Sequence, residues 1–147
     1  MPYTADFLAY ARALSLTLTS LRKAVLFVLW HADKPLKAYD ILESLQDEQP
    51  NATAAAIYRI LGFFVAAGVV HKIDSIQSYA LCNKPDTSAC ATACSEVFMV
   101  CAVCRDVSEM HDVMIRDAAM QLAGLNAFQL SHDPIELRGV CEACVPH

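Results

Sequence analysis

The chain has 147 residues, seven cysteines and a formal net charge of −5 at pH 7. This length suits one ordinary domain or two small ones, and it can bury a core without disulfide staples. The acidic balance excludes a globally basic nucleic-acid binder, so any DNA contact must come from a few well-placed cations.

The N-terminal stretch lacks the basic start and apolar run of a signal peptide, and no stretch has the length of a membrane span. We therefore expect a soluble, cytoplasmic protein, in which seven cysteines favour metal or redox chemistry over disulfides. Residues 1–80 carry seven Lys/Arg and seven Asp/Glu, whereas residues 81–147 carry four and nine. The acidic second half suits a cation site.

Four segments of the first half have apolar residues at helical spacing: TADFLAYARALSL, LTSLRKAVLFVLWHAD, KPLKAYDILESLQDEQP and NATAAAIYRILGFFVAAG. Each is predicted to be a helix. Their predicted bounds are set by caps at Thr19 or Ser20 and at Asn51 or Thr53, by a start near Leu36, and by stops at Pro50 and Gly68.

The period then changes, and VVHKID and SYALC are predicted to form two short strands joined as a hairpin through SIQ. Helices followed by a hairpin are the layout of a winged helix, in which the last helix lies in the major groove of DNA. A small helical domain without a DNA role has the same layout, so this pattern alone leaves both interpretations open.

The stretch CNKPDTSACATAC has no clear period and predicts a loop, with a domain boundary near Asn83. After it come a strand in EVFMVCAVC, an amphipathic helix in HDVMIRDAAMQLAGL and a strand in FQLSHDPIELRGVC that Pro134 could interrupt. We expect a small β-α-β unit with an exposed apolar sheet face. A unit of this size is marginal alone, so metal binding, dimerisation or both are expected.

Two CxxC pairs, formed by Cys101 with Cys104 and by Cys141 with Cys144, carry the strongest chemical signal. Each pair can hold one cation from a tight knuckle, and two knuckles complete a tetrahedral Cys₄ zinc shell. A redox CxxC and coincidence are the alternatives. A redox CxxC usually follows a strand and begins a helix, whereas no helix is predicted after the CEAC motif in CEACVPH. The redox interpretation is therefore disfavoured.

A second group of candidate ligands surrounds the predicted boundary: His71, Cys82, Cys90, Cys94, Glu109 and His111. Each residue alone is more often an ordinary surface or hydrogen-bonded group. Together they suggest a second metal site that straddles the boundary. A metal bound there would favour one relative orientation of the two halves, which is the physical basis of a switch.

The runs LTSLRKAVLFVL, KAYDILESL, AAIYRILGFFVAAGVVHKID and SYALC, together with the two knuckles, resemble the ferric uptake regulator superfamily. Within it they are most similar to the zinc uptake regulator branch. The resemblance implies an α+β fold, with an N-terminal winged helix-turn-helix domain (residues 1–82) followed by a small α/β dimerisation domain (residues 83–147). It also implies a homodimer that binds double-stranded operator DNA.

The resemblance further implies two Zn²⁺ ions per chain, with structural zinc held by the two knuckles. The regulatory zinc, which acts as co-repressor at the hinge, is implied to bind His71, Cys82, Cys94 and Glu109. Cys94 stands where the family commonly has His, and a Cys can replace it as a zinc ligand. Because Cys90 lies nearby in the sequence, Cys90 remains an alternative ligand, as does His111. Thiol-rich ligation favours zinc over iron or manganese.

DNA-reading residues carry over as Tyr39, Tyr58 and Arg59, with Arg22 and Lys23 as candidate phosphate contacts. The guanidinium of an arginine such as Arg59 pairs well with guanine O6 and N7. An ordinary helix-surface arginine and a half-buried tyrosine are the simpler interpretations of Arg59 and Tyr39.

The resulting hypothesis is a zinc-responsive transcriptional repressor of zinc uptake and homeostasis genes, without catalytic activity, membrane association or a small-molecule substrate. A thiol-based redox regulator, a sensor of iron, nickel or manganese on the same scaffold, and a zinc-stabilised interaction module without DNA binding remain alternatives.

Overall fold

A computed structural model of the chain describes residues 2–82, 96–131 and 133–146. The chain divides into two compact units, Met1–Asp86 and Thr87–His147. Helices and small sheets together make an α+β protein, as the sequence predicts. Within the described ranges, no helix is long and apolar enough to cross a bilayer.

Four helices form the first unit: α1 (Ala5–Ala13), α2 (Ser20–His31), α3 (Ala38–Leu45) and α4 (Ala54–Ala66). Threonines cap three of them. Thr4, Thr19 and Thr53 each accept a hydrogen bond from the backbone N–H three residues later, at 3.2–3.3 Å. These bonds satisfy donors that a helix start otherwise leaves without an intrahelical partner.

The third helix begins at Ala38 rather than near Leu36, and it ends at Leu45, well before Pro50. Leu36 pairs instead with Tyr79, through two backbone hydrogen bonds of 2.9 and 2.8 Å. The chain before α3 is therefore extended, and Asp40 accepts a hydrogen bond from the backbone N–H of Lys37 at 3.2 Å.

An antiparallel hairpin follows α4, with strands β1 (Val70–Ile73) and β2 (Ser78–Leu81) joined by a 3₁₀ turn at Asp74–Ile76. Gly68 has a φ of 76°, which is the left-handed conformation that ends α4 and turns the chain into the hairpin. The helices and this hairpin make a winged helix.

One apolar core unites the helices with the hairpin. Its fully buried large side chains include Phe7, Leu26, Ile41, Phe64 and Val70, so every helix and the first strand contribute. Burying such side chains is the main favourable term in folding. The core fixes the exposed faces of α3 and α4, where the predicted DNA-reading residues lie.

The second unit contains β3 (Glu96–Cys101), β4 (Val107–His111), α5 (Val113–Leu125) and β5 (Ile135–Gly139). The strand order is β4-β3-β5, with β4 antiparallel and β5 parallel to β3. The predicted β-α-β unit was therefore incomplete, because it lacked β4. The final strand is also shorter than predicted and begins after Pro134.

A buried arginine holds the connection between α5 and β5. Arg116 is 8% exposed, and its guanidinium donates to the backbone carbonyls of Ser131 at 2.6 Å and Asp133 at 3.0 Å. At the start of the same helix, Asp112 caps the backbone N–H groups of Met114 and Ile115. The first turn of α5 is thus capped by Asp112, and Arg116 from that same turn is bonded to the chain just before β5.

Candidate metal centres and nucleic-acid interface

The two cysteine knuckles meet because their strands are parallel neighbours. Cys101 ends β3 and pairs with Gly139 at the end of β5. The turns that follow both strands consequently lie at the same edge of the sheet. The four sulfur atoms of Cys101, Cys104, Cys141 and Cys144 all lie within 4.8 Å of one another.

This geometry fits a zinc ion. Four thiolates at a Zn–S distance of about 2.3 Å in tetrahedral geometry stand about 3.8 Å apart. The Sγ atoms of Cys104 and Cys141 are 3.8 Å apart. Because both motifs converge on one centre and a β-strand rather than a helix follows Cys104, the arrangement favours a metal site over a redox pair.

Backbone hydrogen-bond donors stabilise the thiolate form of Cys101. Its Sγ accepts hydrogen bonds from the N–H groups of Cys141 (3.4 Å), Cys104 (3.5 Å) and Val103 (3.4 Å). These bonds, with that from Cys141 the largest contribution, lower the pKa of Cys101 to about 6. Hydrogen bonding with the Cys141 thiol, followed by burial, instead raises the pKa of Cys144 to about 12. At pH 7 the centre therefore contains one ligand, Cys101, that is already a thiolate.

The wing brings two of the predicted regulatory ligands together. His71 lies on β1 opposite Ala80, and Cys82 directly follows β2, with its N–H bonded to the Val69 carbonyl at 2.8 Å. Both side chains are buried, and a ring nitrogen of His71 lies within 4.8 Å of the Cys82 Sγ. This spacing suits two ligands of one zinc ion.

The other predicted regulatory ligands belong to the second unit. Glu109 lies on β4, where its carboxylate is 3.7 Å from Nε2 of His111. Cys90 and Cys94 lie outside the described residues. Within the first unit the structure brings His71 to Cys82, and within the second unit it brings Glu109 to His111. The complete set of ligands stays a prediction.

The candidate DNA interface is formed by exposed side chains of α3 and α4. Tyr58 and Arg59 lie on the exposed face of α4, and Tyr39 lies in the first turn of α3. Tyr39 is 65% exposed and Tyr58 48% exposed, and their rings meet edge to face with centroids 6.5 Å apart. The simpler interpretation of Tyr39 as half-buried is therefore wrong.

The two candidate phosphate contacts differ in their surroundings. The guanidinium of Arg22 lies 3.9 Å from the ring centroid of Phe63 and donates to the Thr17 carbonyl at 2.9 Å. The Lys23 Nζ lies 5.8 Å from the ring centroid of Tyr3. Sequence reasoning missed Phe63, although its position one turn after Arg59 on α4 was a usable signal.

Arg22 and Arg59 line one shallow depression on the surface, together with Ala56 and Ile60. Arg22 comes from α2 and Arg59 from α4, so two helices place positive charge around the same concavity. Such a site attracts anions, and DNA offers them at every backbone phosphate.

The second unit exposes an apolar sheet face, as the sequence predicts. Met99 on β3 pairs with Leu137 on β5, and both are more than two-fifths exposed. Other exposed large apolar side chains of this unit are Val103, Met110, Val113, Met114, Met120, Leu122, Leu125, Phe128, Val140 and Val145. Clusters of this kind on a small unit mark interaction surfaces.

Comparison with known proteins gives consistent matches over most of the chain. The sequence model of the ferric uptake regulator family matches residues 13–138. The zinc uptake regulation protein of Escherichia coli K12 is 34% identical over 97% of this chain and 83% of its own length. A solved zinc uptake regulator complexed with zinc and DNA has a TM-score of 0.82 at 32% identity, covering 96% of this chain and 95% of that one. Holo XcZur has a TM-score of 0.78 at 30% identity, covering 95% and 96%.

Proposed function

The chain belongs to the ferric uptake regulator family, and we propose that it is a zinc-responsive transcriptional repressor of zinc uptake and homeostasis genes. The observation that carries the proposal is the similarity, along nearly the full chain, to a zinc uptake regulation protein and to a zinc uptake regulator solved with zinc and DNA. The four-thiol centre and the exposed α4 face supply the corresponding chemistry.

We infer two zinc sites per chain. Cys101, Cys104, Cys141 and Cys144 hold the structural ion, for which their sulfur spacing is suitable. His71, Cys82, Cys94 and Glu109 are proposed to hold the regulatory ion, with Cys90 and His111 as alternative ligands. When bound, zinc supplies a tetrahedral cross-link between the elements that carry its ligands.

The proposed partner is double-stranded operator DNA. Tyr39, Tyr58 and Arg59 form the surface that enters the major groove, because they are exposed on the last two helices before the wing. Arg22 and Lys23 are proposed to contact phosphates. We also propose action in the cytoplasm, because the relatives that the chain matches are bacterial regulators and a bacterial chromosome lies there.

A second copy of the chain is the proposed partner of the second unit. Met99 and Leu137 lie side by side on its sheet, and burying such side chains against an identical face would offset the cost of exposing them to water. A dimer presents two α4 helices, which suits an operator with two half-sites. We propose neither a catalytic reaction nor a small-molecule substrate.

A gel shift on the DNA upstream of the chain's own gene, combined with metal analysis, tests this function. Zinc should produce a specific shift that a chelator reverses, and the protein should contain about two zinc ions per chain when it binds. Iron(II), nickel(II) or manganese(II) in place of zinc should give a much weaker shift. A stronger response to one of those metals, or a shift controlled by oxidant instead, would replace zinc sensing by one of the alternatives.

A further inference from the structure

We propose that Phe63 is a positioning residue for DNA binding, which holds the Arg22 guanidinium ready to receive a backbone phosphate in the depression beside Arg59. This inference rests on the proposed function, because it assumes that the exposed face of α4 meets DNA. It adds a residue that needs no contact with DNA to act.

Two restraints fix the guanidinium of Arg22. Its Cζ atom lies 3.9 Å from the Phe63 ring centroid, and one of its nitrogens donates to the Thr17 carbonyl at 2.9 Å. A long side chain normally loses rotamer freedom when it binds a ligand. In this chain the Arg22 side chain is already restrained in the free protein. Binding a phosphate therefore costs less side-chain entropy, and the affinity is higher.

The stacked arginine retains donors for a ligand. A guanidinium has five N–H groups at its edge, and the bond to Thr17 uses one of them. The contact with Phe63 places the guanidinium carbon 3.9 Å over the ring centroid, and a phenyl ring has no oxygen or nitrogen atom to accept the remaining N–H groups. Arg22 can therefore keep both restraints while its edge binds an anion.

The depression is placed for a phosphate beside the groove. Arg22 and Arg59 both line it, and Ala56 at its wall has only a methyl side chain. Two arginines around one concavity repel each other, and a bound anion relieves this repulsion. The anionic groups of DNA are its backbone phosphates, and these border the major groove.

Fixing one phosphate also fixes the register of α4. Phosphate contacts position a protein on the duplex, whereas contacts to base edges read the sequence. Arg22 belongs to α2, and Arg59 belongs to the helix proposed to enter the groove. Phe63 thus couples the two functions, since it lies one turn after Arg59 and holds Arg22.

The test compares zinc-loaded variants on operator DNA and on random duplex DNA over a range of salt concentrations. Arg22→Gln should make the slope of log affinity against log salt shallower by about 1.8 per bound dimer, because each of the two chains loses one phosphate contact worth about 0.9. Phe63→Leu should weaken binding to both DNAs by a similar factor, about two- to fivefold for each chain of the bound dimer, since each chain loses one cation–π contact. Phe63→Tyr retains the ring and should bind like the wild type.

A double variant separates positioning from a general effect on the fold. In the Arg22→Gln background, Phe63→Leu should cause no further loss, because its effect acts through Arg22. Phe27→Leu is the matched control: it removes a half-buried aromatic ring of α2 that stacks edge-on against Phe7 at 4.9 Å. It should leave DNA affinity unchanged, even with an equal drop in melting temperature.

Unchanged affinity in Phe63→Leu, an additive loss in the double variant, or an equal loss in Phe27→Leu would each overturn the role of Phe63. None of these results affects the zinc-dependent binding of the wild type. Absence of that binding would instead overturn the proposed function, so the two failures are distinguishable.

Discussion

At the scale of single residues, the four knuckle cysteines are chemically unequal. Cys101 receives three backbone N–H donors and its pKa falls to about 6, whereas the pKa of Cys144 rises to about 12. A thiolate binds metal and a thiol must first lose its proton. At neutral pH the Cys101 ligand is therefore already ionised in the metal-free protein.

This inequality predicts how many protons zinc releases. At pH 7 Cys101 is already a thiolate, so filling the four-thiol centre of metal-depleted protein should release fewer than four protons. Its pKa lies below the ordinary thiol value, so protonation returns only as the pH falls through about 6. The number of protons released on zinc binding should consequently increase as the pH is lowered from 7 to 5. Calorimetry in buffers of different ionisation enthalpy measures it.

The Cys82→Ser variant is the suitable background for this measurement, because it removes a proposed hinge ligand and leaves the four knuckle cysteines intact. A release of four protons at pH 7 would show that Cys101 is protonated in the metal-free protein, contrary to the prediction.

Arg59 carries a separate prediction about sequence recognition. Arg59→Ala should weaken operator binding by on the order of 1–3 kcal/mol and relax the base preference at one position, if the guanidinium contacts a base edge. Zinc content and dimerisation should not change, because the residue is exposed on α4. Competition with single-base operator variants is the measurement. Equal losses on every sequence would make Arg59 a phosphate contact instead.

At the scale of elements, local signals in the sequence predicted most helices and failed where distant pairing decides. Thr19 and Thr53 cap α2 and α4, because their hydroxyls bond backbone groups only three residues away. The start of α3 was predicted two residues early because Leu36 pairs with Tyr79, far along the chain. No local pattern contains that partner.

Strand β4 was missed for a related reason. Val107–His111 is short and largely polar, and it exists as a strand because β3 supplies its hydrogen-bond partners. The metal centre was easier to predict, since CxxC spacing itself creates a ligand pair. The stacking of Arg22 on Phe63 was not predictable, because it depends on how α2 packs against α4.

Arg116 links α5 to the strand that carries the second knuckle. Arg116→Met should lower the free energy of unfolding by on the order of 2–3 kcal/mol, because two partly buried carbonyls lose a charged donor. It should also speed zinc loss to a chelator, since β5 leads directly to Cys141. Arg138→Met, which changes an exposed arginine of β5 itself, is the matched control.

Chemical denaturation and the rate of zinc transfer to a chromogenic chelator are the two measurements for Arg116→Met. Equal behaviour of Arg116→Met and Arg138→Met would mean that the bonds to Ser131 and Asp133 contribute nothing specific to the position of β5.

At the scale of the whole molecule, the proposed regulatory site joins ligands from both units. His71 and Cys82 belong to the first unit, and Glu109 belongs to the second, as Cys94 does in the sequence. Filling such a site would narrow the range of relative orientations of the units. In a dimer, two recognition helices must have the spacing of two half-sites, and apparent affinity falls with the fraction of molecules that have it.

Three serine variants test this coupling. Cys82→Ser and Cys94→Ser should keep the dimer and about one structural zinc per chain, yet lose zinc-dependent operator affinity, because each removes a proposed hinge ligand while the four-thiol centre remains. Cys90→Ser is the matched control and should respond to zinc like the wild type. Operator affinity with and without zinc, measured beside zinc content and dimer mass, decides the outcome. If Cys90→Ser abolishes the response and Cys94→Ser does not, Cys90 is the hinge ligand. If all three variants respond normally, zinc does not regulate DNA binding through a hinge site of this composition.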